Sequence, residues 1–238
     1  MQLIDAHCHF DFPQFDGRRE AELEQARSLG LRRLVIPGVR RPDWDSVRDT
    51  ALAHNGLFYC LGIHPWFVDE HSEEDLTELR RRLAARPERC VALGEWNEFG
   101  MPLVIHSVKA HDEVHSLLNR RQWTGRALIH GFSGSFQQGE KLVDLGCFIG
   151  VGGVITHPRA RKTRDAIAKL PLEALVLETD APDMAPEGVP QGQNSPRYLP
   201  DILKALAEIR GDTPEQLAPV LLDNVSRLYG WSGADIGE

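Results

Sequence analysis

Two histidines at the end of the first predicted strand, His7 and His9, have the residue type and spacing of metal ligands. They follow the apolar run Leu3 to Ala6, and alternate residues of a strand point to the same face. Both imidazoles can therefore reach one metal ion, whereas Cys8 between them points the other way. The triplet alone is weak evidence for a metal site, and it gains weight only from ligands at the ends of other strands.

Further potential ligands stand where later apolar runs stop: Glu95, His106, His130 and Asp180. Any one of them is explained more simply as a half-buried polar residue. The whole set at strand ends favours a functional site, because clusters of imidazole and carboxylate groups are costly to bury. Such a set can fill two metal sites that share a carboxylate. Two divalent ions there would lower the pKa of a water bridged between them and supply hydroxide at neutral pH.

A repeated sequence pattern positions these residues: an apolar run, a polar or glycine-containing loop, a helix-period segment and the next apolar run. The predicted strands are Leu3 to Ala6, Arg33 to Pro37, Leu57 to Ile63, Val91 to Gly94, Leu103 to Ile105, Ala127 to Ile129, Cys147 to Val151 and Leu175 to Glu178. Eight such units predict an α/β fold, a closed (β/α)8 TIM barrel whose strand ends converge on one mouth. We expect residues 1–238 to form one domain, with a capping box at Ser72 to Asp75 and helix ends at Gly30 and Gly146.

The connection between the fourth and fifth predicted strands is too short. Only seven residues lie between Glu95 and Leu103, whereas a crossover between parallel strands needs at least about 10 to 12. Residues 97–100 have the sequence of the last turn of a helix that ends in glycine. Our hypothesis is that a segment of about 25 residues, one unit's helix and loop, is missing between Trp96 and Asn97. A distance of ~3.8 Å between their Cα atoms would contradict it.

The composition excludes several classes of protein. No apolar run approaches the roughly 18 residues of a membrane span, and the amino terminus lacks the features of a signal peptide. We therefore expect a cytoplasmic protein with no membrane partner, in which the four cysteines are reduced thiols. The net charge of −8 argues against a protein that coats nucleic acid, but not against an enzyme that takes a strand end into a metal-charged pocket.

Six short motifs are spread over nearly the whole chain: Asp5-Ala6-His7-Cys8-His9, Gly62-Ile63-His64-Pro65, Gly94-Glu95, Val104-Ile105-His106-Ser107, His130-Gly131-Phe132-Ser133-Gly134 and Glu178-Thr179-Asp180-Ala181-Pro182. Together they resemble the TatD-type metal-dependent hydrolases of the amidohydrolase superfamily, in particular their YjjV-like branch. The Gly-Glu-Ile-Gly-Leu-Asp stretch of that family is cut here after Trp96, which agrees with a missing segment.

The resemblance implies a ligand set for each of two divalent ions. His7, His9, Glu95 and Asp180 would hold one ion, and Glu95, His106 and His130 would hold the other. Asp180 can also accept the proton of the attacking water, so we expect Asp180 and the shared Glu95 to be catalytic. His64 lies away from the metals in this interpretation and can donate to a substrate oxygen. The alternative for His64 is a structural histidine fixed before Pro65.

The sequence does not determine which metal ions or which substrate the protein uses. Imidazole-rich sites suit Zn²⁺ or Mn²⁺ better than Mg²⁺. The family resemblance nevertheless implies that Mg²⁺ can also support activity. The resemblance implies 3′ to 5′ hydrolysis of DNA phosphodiesters, yet the loop from Pro186 to Pro196 has no basic residue for a bound strand. The alternatives are a hydrolase of a small amide, ester or lactone, and a metal-binding scaffold without turnover. We expect a monomer or a weak oligomer.

A histidine pair and two arginine-rich segments could also be functional sites. His111 and His115 share a helix face as zincin ligands do, but Asp112 stands where that motif needs glutamate, so we expect a solvated helix face. The arginines between Arg80 and Arg89 also fit a solvated helix face. Those between Arg159 and Arg164 follow a strand end, where loops often hold phosphate, and both interpretations stay open for them.

Overall fold

Parallel strands in chain order form one continuous sheet in the computed structural model, which describes residues 1–93 and 100–232. The strands are β1 (Leu3–Asp5), β2 (Leu31–Pro37), β3 (Leu57–Leu61), β4 (Cys90–Leu93), β5 (Leu103–His106), β6 (Ala127–His130), β7 (Cys147–Val151) and β8 (Leu175–Leu177). The backbone N–H of Ala6 donates to the carbonyl of Leu177 at 3.0 Å, so β8 returns to β1. The predicted (β/α)8 TIM barrel is confirmed.

Helices follow the strands around the outside of the sheet. They are α1 (Arg19–Ser28), α2 (Trp44–Ala53), α3 (Glu73–Ala84), α4 (His111–Arg120), α5 (Phe136–Asp144), α6 (Arg161–Lys169), α7 (Leu199–Arg210) and α8 (Pro214–Tyr229). The predicted capping box is present before α3, where the Ser72 N–H donates to Asp75 Oδ2 at 2.8 Å. Gly30 and Gly146 follow α1 and α5 with φ of 109° and 82°, a backbone conformation that glycine adopts without steric cost.

Alternate strand residues fill the inside of the barrel. These buried side chains are Ile4, Val35, Cys60, Ala92, Val104, Leu128, Phe148 and Val176. His106 and His130 follow Val104 and Leu128 by two residues, so they continue the same face at the carboxyl ends of β5 and β6. The candidate ligands therefore form the last layer of the barrel interior. Just before His7, the Ala6 carbonyl accepts a hydrogen bond from the Tyr229 hydroxyl of α8 at 2.7 Å.

The strand ends differ slightly from the predicted ones. β3 ends at Leu61 rather than Ile63, because the chain leaves the sheet there and enters a 3₁₀ helix, Pro65–Glu70. The end predicted for the fourth strand, at Gly94, and the Cα distance from Trp96 to Asn97 lie outside the described residues. In the part of the chain that the structure describes, no helix is long and apolar enough to cross a membrane.

Candidate metal centre

The two histidines after β1 face one carboxylate oxygen. His7 Nε2 lies 3.3 Å and His9 Nε2 lies 3.5 Å from Asp180 Oδ1. Hydrogen bonds hold the two segments together, since the Asp180 N–H donates to the His7 carbonyl at 2.9 Å. Cys8 turns away, and its sulfur packs in the apolar core, 3.8 Å from the carbonyl of Ala181. The spacing argument therefore predicts the side-chain directions correctly.

The histidines at the ends of β5 and β6 complete the cluster. His106 and His130 are register partners in the sheet, and His106 Nδ1 lies 2.7 Å from His130 Nε2. The His130 ring also stacks on that of His7, with centroids 3.9 Å apart. Ligand atoms of His7, His130 and Asp180 all lie within 4.8 Å of one another, close enough to hold one ion. Because His130 contacts both His7 and His106, the division of ligands between two ions stays a prediction.

Glu95, the carboxylate expected to bridge the two ions, lies outside the described residues. The structure thus brings together five of the six predicted ligands, and the bridging role of Glu95 stays a prediction.

Unpartnered buried atoms test whether this site fits a metal. Polar atoms without a hydrogen-bond partner among the described residues include His7 Nε2, His9 Nδ1, His106 Nε2, His130 Nδ1 and Asp180 Oδ1. A buried polar atom normally finds a partner, since leaving it unsatisfied costs about 1–3 kcal/mol. A concentration of such atoms in one place is explained if they ligate cations. The nitrogen-rich donor set fits Zn²⁺ or Mn²⁺.

Burial keeps the histidines neutral at physiological pH. It lowers the pKa of His7 and of His9 to about 3, with a smaller contribution from neighbouring imidazoles. The pKa of His130 falls well below its ordinary value for the same reasons. Neutral imidazole is the form that binds a metal, so these side chains require no deprotonation before binding at pH 7.

A buried carboxyl group below the site, Asp5, links the two segments that carry the ligands. Asp5 accepts hydrogen bonds from the Thr179 N–H at 2.9 Å, from the Thr179 hydroxyl at 2.5 Å and from the His7 N–H at 3.2 Å. Burial raises the pKa of Asp5 to about 7. These bonds tie the backbone of His7 to the segment that ends in Asp180, so Asp5 is a positioning residue.

Replacement of Thr179 by Val should test this link without changing side-chain shape. The variant removes the hydroxyl donor to Asp5 and leaves a buried carboxyl oxygen without that partner. We expect the free energy of unfolding to fall by about 2 kcal/mol, measured by urea denaturation. Thr77→Val on the exposed face of α3 is the control and should change it by less than ~0.5 kcal/mol. Equal effects of the two substitutions would contradict the proposed link.

Glu178 is a buried residue of the site that the sequence interpretation did not assign. Its Oε1 accepts from the Gly131 N–H at 2.6 Å, next to His130, and its Oε2 has no hydrogen-bond partner among the described residues. Burial raises its pKa well above the ordinary value. A Cβ at Gly150 would lie 2.4 Å from Glu178 Oε1, so glycine is required there to admit the carboxyl group. The period-two alternation from Val176 to Glu178 is the signal that could have placed it on the inner face.

His64 lies at the edge of the histidine cluster, closer to the proposed ligands than the sequence analysis assumed. Its ring centroid is 4.2 Å from that of His106. His64 Nδ1 accepts the backbone N–H of Trp66 at 3.2 Å, which caps the 3₁₀ helix Pro65–Glu70. The structural role given above as the alternative for His64 is therefore present, and it leaves Nε2 available for a second partner.

The histidine pair of α4 and the first arginine-rich segment lie outside the metal centre. The only metal-type group found in the described residues contains neither His111 nor His115. The solvated face expected for this helix is wrong for His111, which is buried with its ring packed edge-on against Phe132 at 5.0 Å. In the first arginine-rich segment, Arg82 pairs with Glu78 and with Asp45, both at 2.8 Å.

In the second arginine-rich segment, Arg164 donates to the carbonyl of Ile155. The other basic residues there, Arg159, Arg161 and Lys162, are exposed. A phosphate-binding role for this segment stays a prediction.

Comparison with known proteins identifies the family. The family model described as TatD related DNase matches residues 4–96 and 97–230. The chain belongs to the TatD related DNase family. This is a family of metal-dependent hydrolases built on the TIM barrel, as the resemblance of the motifs implies.

Individual TatD relatives cover almost the whole chain. The uncharacterized metal-dependent hydrolase YjjV of Escherichia coli (strain K12) is 38% identical over 253 residues, covering 96% of this chain and 98% of YjjV. The crystal structure of the Escherichia coli YjjV protein superimposes with a TM-score of 0.90, at 37% identity over 96% of this chain and 98% of that one. The 3′-5′ ssDNA/RNA exonuclease TatD of Klebsiella pneumoniae (strain 342) is 28% identical, covering 96% of this chain and 98% of its own length.

The TatD comparisons also bear on the short connection after β4. The family model matches in two parts that meet between residues 96 and 97, where the sequence analysis places the missing segment. The alignment with YjjV spans 253 residues although this chain has 238, so the relative has residues without a counterpart here. The split in the family match supports the hypothesis of a segment missing between Trp96 and Asn97.

Proposed function

We propose that this TatD-family chain hydrolyses DNA phosphodiesters from the 3′ end with two divalent ions, Zn²⁺, Mn²⁺ or Mg²⁺. The observation that carries the proposal is the cluster of unpartnered nitrogen and carboxylate atoms at the barrel mouth. The similarity to a relative described as a 3′-5′ ssDNA/RNA exonuclease supports the substrate class. Four unpaired thiols in the chain support a reducing, cytoplasmic location.

The proposed ligand assignment is the one that the family resemblance implies. His7, His9 and Asp180 would hold one ion, and His106 and His130 would hold the other, with Glu95 shared between them. Divalent ions held there would lower the pKa of water to near neutrality and neutralise charge on a phosphoryl oxygen.

The chain's own groups supply proton transfer and orientation. Asp180 Oδ1 lies within 3.5 Å of both His7 and His9 at the mouth, and we assign it as the base that takes the proton of the attacking water. Its backbone carbonyl accepts from the Asp183 N–H at 3.0 Å and its N–H donates to the His7 carbonyl at 2.9 Å, so the backbone that carries the carboxylate is held in place before substrate arrives.

His64 is the proposed hydrogen-bond donor to the substrate. Because Nδ1 accepts the Trp66 N–H, the proton of the neutral ring resides on Nε2. Burial together with the nearby His106 lowers the pKa of His64 to about 4, so the neutral ring is the form present at pH 7. His64 also lines the cavity above the cluster, from which it can donate to a phosphoryl oxygen.

A direct assay distinguishes this function from its rivals. Single-stranded DNA labelled at the 5′ end, a panel of carboxylic esters and lactones, and a panel of amides are each incubated with Zn²⁺, Mn²⁺ or Mg²⁺. We expect stepwise shortening of the DNA from the 3′ end with release of mononucleotides, and loss of this activity on chelation. Faster turnover of an ester or amide would identify a small-molecule hydrolase, and absence of turnover with a full metal complement would identify a scaffold.

A further inference from the structure

Trp66 is exposed at the rim of the metal centre. It follows His64 and Pro65 in the 3₁₀ helix Pro65–Glu70, and 78% of its surface is accessible. Trp44, by contrast, is fully buried. A tryptophan side chain is the largest apolar group available to a protein, and one that is left in solvent beside a site is a candidate binding surface.

The indole ring of Trp66 lies next to two histidines of the site, His64 and His106. Its centroid lies 5.2 Å from that of His64, edge-on at 73°, and 6.0 Å from that of His106. Among the described residues, these two site histidines are the rings that Trp66 contacts. Most of the ring is uncovered, so a planar group could stack against it while a neighbouring phosphate lies over the cluster.

The size of the cavity argues that such a group lies outside it. The cavity above the ligands, lined by His7, His64 and His130 among others, has a volume of about 110 Å³. Pockets that enclose a drug-sized ligand measure roughly 300–1,000 Å³. A cavity of this size accommodates a phosphoryl group, which leaves the rim as the place for the attached base.

Arg40, which packs against Phe67 next to Trp66 in the chain, is already engaged by carboxylates. Arg40 lies with its guanidinium 4.9 Å from the centre of the Phe67 ring. It is already paired with Asp43 at 2.6 Å and lies 3.8 Å from Glu70. Proteins that bind single strands combine cationic contacts with aromatic platforms, and Trp66 can serve as such a platform.

We propose that Trp66 stacks on a nucleobase next to the scissile phosphodiester and so selects single-stranded nucleic acid as substrate. The inference rests on the proposed hydrolysis of phosphodiesters and adds to it the residue that recognises the base. Every nucleobase has a face that can stack, so the site should tolerate different sequences but should discriminate against a strand without bases.

The test compares two substrates and three variants. One substrate is a single-stranded oligodeoxynucleotide, and the other is the same strand with abasic residues at its last three 3′ positions. The variants are Trp66→Ala, Trp66→Phe and, as a matched control on the same 3₁₀ helix, Val68→Ala, whose side chain is also exposed. The backbone N–H of residue 66, which donates to His64 Nδ1, is retained in all of them.

Trp66→Ala should raise KM for the normal strand by roughly 5- to 150-fold, the range for loss of one stacked base. Its effect on the abasic strand should be less than twofold, and kcat on both should stay near the wild-type value. Trp66→Phe should recover most of the affinity, and Val68→Ala should resemble wild type. An equal loss on both strands would overturn the inference, because it would indicate that Trp66 acts only through His64; unchanged kinetics would also overturn it.

Failure of the proposed function is distinguishable from failure of this inference. If wild-type protein with its metals cleaves neither strand, the proposed function is wrong. Fluorescence anisotropy then measures binding of the two labelled strands to wild type and to Trp66→Ala. Preference of wild type for the normal strand, lost in Trp66→Ala, would support stacking, and equal binding of both strands would overturn it.

Discussion

Asp180→Asn should lower kcat/KM for hydrolysis of single-stranded DNA by about 10³-fold or more. The substitution keeps the size and shape of the side chain but removes the charge that faces His7 and His9 at 3.3 and 3.5 Å. It also removes the proposed proton acceptor. Asp180 has a φ of 53°, a left-handed conformation that asparagine tolerates well, so the variant should fold normally.

Asp183→Asn is the matched control for Asp180. The exposed Asp183 lies in the same loop, where its backbone N–H donates to the Asp180 carbonyl and its backbone carbonyl accepts from the Asn194 side chain. This variant should retain activity within about threefold of wild type. Circular dichroism and thermal unfolding check that both variants are folded. Comparable activity of Asp180→Asn and wild type would remove Asp180 from the catalytic centre.

His130→Asn should have the second largest effect on activity, because His130 contacts both His7 and His106. The change removes the nitrogen 2.7 Å from His106 Nδ1 and the ring that stacks on His7 at 3.9 Å. We expect kcat/KM to fall by about 10²- to 10³-fold and at least one bound ion per chain to be lost. Metal content is measured by inductively coupled plasma mass spectrometry after gel filtration.

His115→Asn provides the comparison for His130. His115 lies on α4, and it does not belong to the metal-type group found in the described residues. Its replacement should leave both metal content and turnover unchanged. If His130→Asn binds as much metal as wild type and differs only in stability, His130 is a packing residue and the proposed ligand set is wrong.

The barrel and much of its mouth could be predicted from local patterns. Val104 and His106 lie two residues apart on one strand, as do Leu128 and His130, and period-two alternation is enough to place each pair on one face. The same rule predicts that His7 and His9 share a face from which Cys8 points away, whereas the pairing of that face with Asp180 came from the family resemblance. What brought these strands into one mouth was the repeated βα pattern, since parallel strands of a closed barrel end on the same side.

Other features depend on contacts between distant segments. Asp5 and Thr179 are hydrogen bonded although 174 positions separate them, and no local pattern identifies that pair. The burial of Glu178 depends on Gly150 in the adjacent strand. The closeness of His64 to His106 arises because β3 ends early and a 3₁₀ helix redirects the chain. Such contacts are set by the register of neighbouring strands and by loop geometry, which single-sequence patterns leave undetermined.

The most direct test of the two-ion hydrolase is a metal titration of chelator-treated wild-type protein. Zn²⁺ or Mn²⁺ is added in known equivalents, and release of mononucleotides from single-stranded DNA is measured at each step. The account predicts no activity without metal and a rate that rises until two ions are bound per chain, then stays constant. Activity that survives complete chelation, or a protein that binds two ions and releases no nucleotide, would contradict it.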